Sequence, residues 1–380
     1  MIKNKYQNIA QKLLKAAGIV INGTKPWDIQ IHNNKLYKRF FFQGTLGLGE
    51  AYMDGWWDVK KLDEFFNRIF KANINEKVPI NLQVVLGIFR TSLFNLQTKI
   101  RSLKIAKVHY DLGNEFYMSF LDPYNQYTCG YYKNTTDLNT AQVQKLELIC
   151  RKLKLVPSDK VLDIGCGWGG FAKFASQKYG CEVTGITISD EQLKYAKAFT
   201  RGLKVNIKKL DYRNLTGSFD KILICGMIEH VGHKNYRKIA KIVHKCLKDN
   251  GLFLLHTIGT NVTTNYTDPW IGKYIFPNSA LPSQKRITQA FENLFVMEDW
   301  HNFGAYYHPT LTAWFKNFDH NWNKIKLQIR KTEKMPEERF YRVWKYYLLS
   351  CAGAFKSRNL QLWQIVFSKK GVPQGYESVR

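Results

Sequence analysis

The stretch Val161-Leu-Asp-Ile-Gly-Cys-Gly-Trp-Gly-Gly170 decides the fold. It begins as a short apolar run, typical of a buried strand, and ends in glycines that open a helical pattern. Glycine permits a tight backbone turn and lets a ligand approach the backbone closely. Gly165, Gly167 and Gly170 satisfy the dinucleotide-binding spacing G-x-G-x-x-G, but that pattern expects an acidic residue at the end of the second strand. The acid here is Asp163, before the glycines, and none closes the second strand.

From about residue 155 onward, apolar runs alternate with helical patterns, which predicts a parallel, doubly wound α/β sheet. The predicted helices lie near 170–179, 190–200 and 235–247. The predicted strands are Lys160–Gly165, Glu182–Ile188, Val205–Leu210, Lys221–Cys225, Leu252–Ile258, Phe295–Trp300 and Leu362–Ser368.

Residues 1–107 predict a small α+β domain in front of this sheet. We expect a helix at Ile9–Ala17 between Asn8 and Gly18, a hairpin around Asn33-Asn34, and a loop at Gly44–Trp57 that enters a helix. Apolar residues at steps of three or four also predict a basic amphipathic helix over about 80–104. That helix would meet a membrane, or pack on its own domain or on a dimer mate.

Charge narrows the classes of partner. The 380 residues carry 57 Lys and Arg against 30 Asp and Glu, a net charge of +27. Residues 1–107 hold 18 and 7 of these, a net charge of +11. With 45% hydrophobic residues the chain is not a disordered polycation. The excess indicates nucleic acid, an anionic membrane surface or an acidic substrate.

Cysteine usage and hydropathy indicate the cellular compartment and the kind of membrane contact that is possible. The seven cysteines are odd in number and form no Cys-x-x-Cys pair, so we expect neither a disulfide framework nor a zinc ribbon, and a reducing compartment fits best. The sequence shows no signal-peptide pattern and no apolar window long enough to span a bilayer. A membrane partner would therefore be met from its surface.

The chemistry is expected at Gly226-Met-Ile-Glu-His-Val-Gly-His233, after the fourth strand. Nucleic-acid amino-methylases usually carry Asn/Asp-Pro-Pro-aromatic there, and its absence argues against a nucleic-acid substrate. Glu229, His230 and His233 lack the His-Glu-x-x-His spacing, so we expect no metal.

At whole-chain level the sequence resembles cyclopropane-fatty-acyl-phospholipid synthases, members of the class I S-adenosylmethionine-dependent methyltransferases. Gly49–Trp56 extends the resemblance into the amino-terminal part and separates the phospholipid enzymes from shorter mycolic-acid relatives. The other strings that carry it are Tyr110–Asn114, Gln126–Tyr132, Val161–Gly170, Glu229–Gly232, Phe253–Gly259, Lys273–Asn278, Glu298–Gly304 and Gln361–Gln364.

The resemblance implies a class I methyltransferase fold, with a seven-stranded Rossmann-like sheet, a small α+β amino-terminal domain and helical insertions. It implies that a cis alkene of a phospholipid acyl chain attacks the methyl group of S-adenosylmethionine, and that the resulting carbocation loses a proton and closes to a cyclopropane. Asp163 would receive the cofactor's amino end, while Asp211 and Tyr212 would meet the adenine. The implied cofactor residues are Tyr127, Thr128, Asp163, Gly165, Cys166, Gly167, Gly169, Ile186, Thr187, Gln192, Asp211 and Tyr212.

In the family the base is taken to be a bound bicarbonate. Its implied holders are Cys129, Glu229, His256, the Ile258 backbone and Tyr307. Plainer roles stay open: Cys129 and His256 as core residues, Asp211 as a solvated loop acid, and Tyr306 instead of Tyr307 as the inward ring. Cys351 is sometimes treated as catalytic in the family, but this chemistry needs no covalent thiol, so a structural role is favoured.

The resemblance also implies an organisation and partners. We expect a lipid-docking domain at 1–90, a helical linker at 91–108 and a catalytic domain at 109–380. The protein would be a homodimer in the cytoplasm, on the inner face of the cell membrane, bound to anionic phospholipid and to no nucleic acid. Three rivals remain: a sibling enzyme that forms a methyl branch or a methylene, a nucleic-acid methyltransferase, and an inactive lipid-binding module.

Overall fold

The structure, a computed structural model, describes residues 2–74, 113–332 and 335–380. It divides into two compact units. The first combines residues 1–94 with 265–277 and 307–360, and the second combines 95–264, 278–306 and 361–380. The predicted domains are each continuous in sequence, whereas these units are not. The candidate helix at 80–104 and the predicted linker at 91–108 lie outside the described residues.

The second unit is built on a seven-stranded sheet within the described residues, which confirms the predicted α/β class. The strands are β1 (Lys160–Ile164), β2 (Glu182–Thr187), β3 (Val205–Lys209), β4 (Phe219–Cys225), β5 (Leu247–Thr260), β6 (Val296–Asn302) and β7 (Leu360–Ser368). Their order is β3-β2-β1-β4-β5-β7-β6. The β1–β2, β1–β4, β2–β3 and β4–β5 pairs are parallel, and β6 runs antiparallel to β7.

The sheet core explains why the strands were predictable. Parallel strands covered on both faces appear as continuous apolar runs, and Val161, Leu162 and Ile164 on β1 are completely buried. All seven predicted strands are present, with ends shifted by at most a few residues. The central one, β1, lies between β2 and β4, so its carboxyl end opens at the middle of the sheet.

Helices of the second unit confirm the three predicted ones and add others. The Ser189 hydroxyl caps the second predicted helix by accepting from the Gln192 amide at 3.3 Å. Asp137 caps a helix that precedes β1, accepting from the Thr140 amide at 2.8 Å. The helices are Asn114–Met118, Leu138–Lys152, Gly170–Tyr179, Asp190–Phe199, Tyr236–Cys246 and Gln284–Phe291.

The first unit is mainly helical. Two short strands, Gln30–Ile31 and Trp57–Asp58, pair antiparallel. Buried aromatic side chains fill its core, including Trp57, Phe65 and Trp270. The helices are Ile2–Ala16, Lys35–Met53, Leu62–Lys71, Pro269–Tyr274, Tyr307–Thr332 and Glu337–Lys356.

Three local predictions for this unit need correction. The hairpin around Asn33-Asn34 is wrong: the helix Lys35–Met53 begins directly after Asn34, and the Asn33 side chain accepts from the Lys35 amide at 3.0 Å. Most of the expected loop at Gly44–Trp57 continues that helix, which is interrupted where Gly44 adopts φ 56°. Asn8 lies inside the first helix rather than capping it, although Gly18, at φ 66°, does follow its end.

No helix within 2–74, 113–332 or 335–380 is both long and apolar enough to cross a bilayer.

Candidate functional site

The glycine turn after β1 is fastened to the end of β2. The amides of Gly165 and Cys166 both donate to the Ile186 carbonyl at 3.0 Å. Gly165, Gly167 and Gly169 have φ angles of 82°, 54° and 83°, a region that side chains with a Cβ rarely adopt. The turn therefore requires glycine at the predicted positions, and it brings Ile186 to the same edge of the sheet.

The turn surrounds space that a ligand could occupy. A Cβ added at Gly167 would meet nothing within 4 Å. Just before the turn, Asp163 is 2% exposed, and its carboxylate accepts no hydrogen bond from the described residues. Burial raises the pKa of Asp163 to about 7, against the opposing effect of the Lys145 charge. A buried carboxylate without donors fits the cationic amino end of S-adenosylmethionine.

The end of β2 gathers the predicted hydroxyl and amide. Thr187 Oγ1 lies 2.9 Å from Gln192 Oε1, to which it donates. The Ser189 amide donates to Thr187 Oγ1 at 3.2 Å. Both Thr187 and Gln192 are buried, so their polar atoms are held in fixed positions beside the glycine turn.

The end of β3 holds Asp211 and Tyr212 beside an arginine. Asp211 Oδ1 accepts from the Arg213 amide at 2.9 Å, and Oδ2 pairs with the Arg213 guanidinium at 2.8 Å. The same guanidinium lies 4.8 Å from the centre of the Tyr212 ring. The carboxylate expected to meet an adenine amine thus already has a cationic partner. The sequence analysis missed Arg213, although it is adjacent in the chain.

The Gln126–Cys129 strip lies beside the end of β4. A Cβ on Gly226 would meet the Thr128 methyl group at 2.7 Å. The Tyr127 ring packs against Tyr117, with centroids 5.4 Å apart. Cys129 is completely buried, and its thiol donates to the Gly130 carbonyl at 3.2 Å. The strip therefore brings Tyr127, Thr128 and Cys129 to the edge where β1 and β4 end.

The helix Leu138–Lys152 holds this strip through two polar residues that the sequence analysis missed. Gln142 Nε2 donates to the Thr128 carbonyl at 2.8 Å. Lys145 Nζ donates to Thr128 Oγ1 at 2.9 Å and also to Gln126 Oε1. The sequence does carry a signal for them, because these two polar residues, three positions apart, share one helix face with apolar residues.

Glu229 lies in a short 3₁₀ turn after β4. Its Oε1 accepts from the Ile258 amide at 2.8 Å. Its Oε2 is buried and has no hydrogen-bond partner within the described part of the chain. Burial raises the pKa of Glu229, although the hydrogen bond from the Ile258 amide lowers it. The Ile258 N–H, predicted to hold a bicarbonate, here anchors the carboxylate.

His256 presents a donor on β5. It pairs in register with Cys225 of β4, and its carbonyl accepts from the Gly226 amide at 2.9 Å. Its Nδ1 lies 3.2 Å from Gln364 Nε2, an amide nitrogen that can only donate. Burial lowers the pKa of His256 well below its usual value, so the ring is neutral and Nε2 carries the hydrogen. That nitrogen is buried without an acceptor among the described residues.

Tyr307 and Cys351 belong to the first unit. The buried Tyr307 ring lies 4.4 Å from the Phe355 ring, centroid to centroid. Burial raises the pKa of the Cys351 thiol to about 12, so it stays protonated near neutral pH. A protonated thiol is a poor nucleophile, which agrees with the structural role favoured for Cys351.

The histidines near Glu229 do not form a metal centre. Burial lowers the pKa of His230 and of His233 to about 4 each. Across the described residues, no group of three or more His, Cys, Asp or Glu side chains is arranged to hold a metal ion.

Comparisons with known proteins show the family of this chain. A family model described as mycolic acid cyclopropane synthetase matches residues 97–365. The cyclopropane-fatty-acyl-phospholipid synthase of Escherichia coli (strain K12) is 48% identical over 375 residues, which cover 99% of this chain and 96% of that protein.

Solved structures of similar fold include the cyclopropane synthase MmaA2 from Mycobacterium tuberculosis, with a TM-score of 0.64 and 26% identity over 73% of this chain and 100% of that one. Another is the mycolic acid cyclopropane synthase CmaA1 complexed with SAH and CTAB, with a TM-score of 0.63 and 27% identity over 70% of this chain and 98% of that one.

Proposed function

We propose a mechanism for this chain, which belongs to the mycolic acid cyclopropane synthetase family by the match over residues 97–365. Its activity is cyclopropane fatty acid synthesis on phospholipids, with S-adenosylmethionine as the methyl donor. The observation that carries the assignment is the 48% identity, over 99% of the chain, to a cyclopropane-fatty-acyl-phospholipid synthase. The residue roles, the base and the partners below are our proposals.

The donor pocket is assigned to the carboxyl ends of β1 and β2. S-adenosylmethionine supplies an electrophilic methyl group when it is bound there. Asp163 is proposed to receive the amino end, because its buried carboxylate has no donor of its own. The glycine turn is proposed to admit the rest of the donor, because a Cβ at Gly167 would enter open space. Thr187 and Gln192 supply fixed polar atoms at the adjoining edge.

The base is proposed to be a bicarbonate held by Glu229, His256 and Cys129. Two buried polar atoms support this proposal, the acceptor Glu229 Oε2 and the donor His256 Nε2, neither with a partner among the described residues. A buried polar group left unpaired costs about 1–3 kcal/mol. A small anion that both accepts and donates would satisfy both atoms, and the Glu229 carboxylate would then take up a proton.

The acceptor is proposed to come from a bilayer surface that the protein, as a homodimer, meets through anionic headgroups. The net charge of +11 on residues 1–107 supports an anionic lipid partner. Withdrawing an acyl chain from the bilayer costs about 0.8 kcal/mol for each methylene left unburied. The acyl chain must therefore enter an apolar channel, which would also keep water from the carbocation.

One assay tests the activity and separates it from its nearest rivals. Methyl-labelled S-adenosylmethionine is incubated with vesicles of a monounsaturated anionic phospholipid, and the fatty acids are analysed by mass and unsaturation. We expect a gain of one methylene with loss of the double bond and formation of a ring. A methyl-branched or exomethylene product would instead identify a sibling lipid methyltransferase, and methyl transfer to RNA but not to vesicles would identify a nucleic-acid enzyme.

Two further measurements test the base and the partner. Turnover should fall in rigorously degassed, carbonate-free buffer and return when bicarbonate is added. An undiminished rate would show that Glu229 or His256 acts directly. Co-sedimentation with anionic vesicles should weaken as salt rises, because charge attraction is screened beyond about 8–10 Å at physiological ionic strength. Binding that is independent of salt and of lipid charge would contradict the docking proposal.

A further inference from the structure

The helix Leu138–Lys152 buries a lysine beneath the candidate site. The side chain of Lys145 is completely buried, and its ammonium donates to Thr128 Oγ1 at 2.9 Å and to Gln126 Oε1. An ammonium costs several kcal/mol to remove from water unless opposite charge compensates it. Both hydrogen-bond partners are neutral. Burial lowers the pKa of Lys145, and the nearby acidic groups, Asp122 and Asp163 among them, oppose that effect.

The charges of two buried carboxylates, Asp122 and Asp163, act on this ammonium. Asp122 accepts from the Tyr124 and Gln126 amides, each at 2.8 Å. Asp163 accepts from no donor in the described part of the chain, so the Lys145 charge is its only stabilising partner there. The two groups therefore depend on each other: the lysine needs an anion, and this carboxylate needs a cation.

Two thiols and a histidine around the pair stay neutral near pH 7. Burial raises the pKa of the Cys225 thiol to about 11 and that of Cys166 well above its usual value. Burial lowers the pKa of His256 well below its usual value, and the Lys145 charge lowers it further. The remaining titratable group that faces Lys145 is the thiol of Cys129.

We propose that Lys145 is a positioning residue of the donor pocket, which fixes the Gln126–Cys129 strip and favours the charged form of Asp163 that would receive the amino group of S-adenosylmethionine. The inference rests on the proposed function, since it takes Asp163 as the acceptor of that amino group. No covalent step is assigned to Lys145. It acts on the strip through hydrogen bonds and on Asp163 through its charge.

The inference predicts a specific pH dependence of cofactor binding. Burial places the pKa of Asp163 near 7 despite the attraction of Lys145. Without the ammonium, protonation of Asp163 should extend to higher pH, and an ammonium ligand would lose its counter-ion. Each unit of rise in that pKa weakens binding about tenfold at pH values below it.

The test is calorimetric titration of the full-length chain with S-adenosylhomocysteine between about pH 6 and 8.5. Kd is corrected for the fraction of ligand whose amino group is uncharged, because an α-amino group titrates near about pH 8. In the unaltered chain we expect Kd to rise as pH falls through about 7. In Lys145→Met the rise should begin at least about one pH unit higher, with Kd about tenfold larger at pH 7. In Asp163→Asn, Kd should be weak and independent of pH in the presence or absence of Lys145.

Gln142→Leu is the matched control, because Gln142 holds the same strip from the same helix without charge. It should weaken binding without moving the pH at which Kd changes. Lys145→Arg should restore the original pH dependence, and Lys145→Gln should behave like Lys145→Met. If Lys145→Met does not fold, the difference in pH dependence between Lys145→Arg and Lys145→Gln tests the inference.

Identical pH dependence in the neutral and the cationic variants would overturn the inference. Failure of the unaltered chain to bind S-adenosylhomocysteine at any pH would instead contradict the proposed function.

Discussion

Replacing Glu229 with glutamine should abolish proton acceptance while leaving the local structure intact. The glutamine carbonyl can still accept from the Ile258 amide, now 2.8 Å from Glu229 Oε1. The other position, where Oε2 has no partner among the described residues, would carry an NH₂ donor in place of a carboxylate oxygen. The substitution thus exchanges a proton acceptor for a donor at one atom.

The size of the effect follows from that exchange. A positioned general base contributes about 10²–10⁴-fold to a rate, which corresponds to about 3–5 kcal/mol of barrier. We expect the single-turnover rate of Glu229→Gln to fall by that factor. The Kd for S-adenosylhomocysteine should change less than about threefold, because the substitution leaves the glycine turn and Asp163 as they are.

The pH dependence of the free energy of unfolding gives an independent test of how Glu229 ionises. Burial raises the pKa of Glu229, so ionising this group costs more free energy in the folded state than in the unfolded state. The unaltered chain should lose stability as pH rises through this raised pKa, and Glu229→Gln should not. Glu229→Ala is the control, because it leaves the buried Ile258 amide without its acceptor and should lower the free energy of unfolding by about 1–3 kcal/mol.

The assay combines rapid-quench single turnover on unsaturated phospholipid vesicles, calorimetric ligand titration, and denaturant unfolding at several pH values. A rate loss accompanied by an equal rise in Kd would show that Glu229 serves binding instead of chemistry. A Glu229→Gln chain that turns over at the full rate would refute the role assigned to Glu229.

Three further substitutions test other parts of the molecule. Gly167→Ala should cost about 1–2 kcal/mol of stability because φ is 54°, and should raise the Kd for S-adenosylhomocysteine at least about tenfold because the new methyl group occupies open space at the turn; an unchanged Kd would place the ligand elsewhere. Gly49→Ala puts a Cβ 2.3 Å from the buried Trp270 ring and should destabilise by about 1–3 kcal/mol in thermal unfolding. Its control, Gly272→Ala, has nothing within 4 Å and should be neutral or slightly stabilising; equal melting temperatures for the two would contradict the packing argument. Cys351→Ala should keep most of the turnover, because burial raises the thiol pKa to about 12. A loss greater than about tenfold with unchanged stability would assign the thiol to chemistry.

The sequence determined the sheet and its glycine turn because their signals are local. A strand that is buried on both faces is mainly apolar, so the buried parts of β1, β4 and β5 are visible as the short apolar runs 161–162, 222–224 and 252–255. The turn needs positive φ at Gly165, Gly167 and Gly169, and glycine adopts that region most readily. Family resemblance added what spacing could not, namely the reaction and the candidate residues.

The amino-terminal unit shows where local signals fail. Asn33-Asn34 is typical of a hairpin turn, but a helix begins directly after Asn34, and the preceding strand pairs with Trp57–Asp58 instead. Two-residue strands contribute too little local energy to compete with a helix whose side chains are buried by the rest of the unit.

Only the tertiary structure decided which polar atoms of the site are already paired. It joins Asp211 to Arg213, anchors Glu229 on the Ile258 amide, and leaves Glu229 Oε2 and His256 Nε2 without partners among the described residues. It also brings the Lys145 ammonium within hydrogen-bonding distance of Thr128, which lies 17 residues earlier in the chain. The charge of Lys145 acts on Asp163, which lies on strand β1. Such pairings depend on distances between elements far apart in sequence, and on burial strong enough to shift pKa values. Neither quantity is encoded in any short stretch of residues.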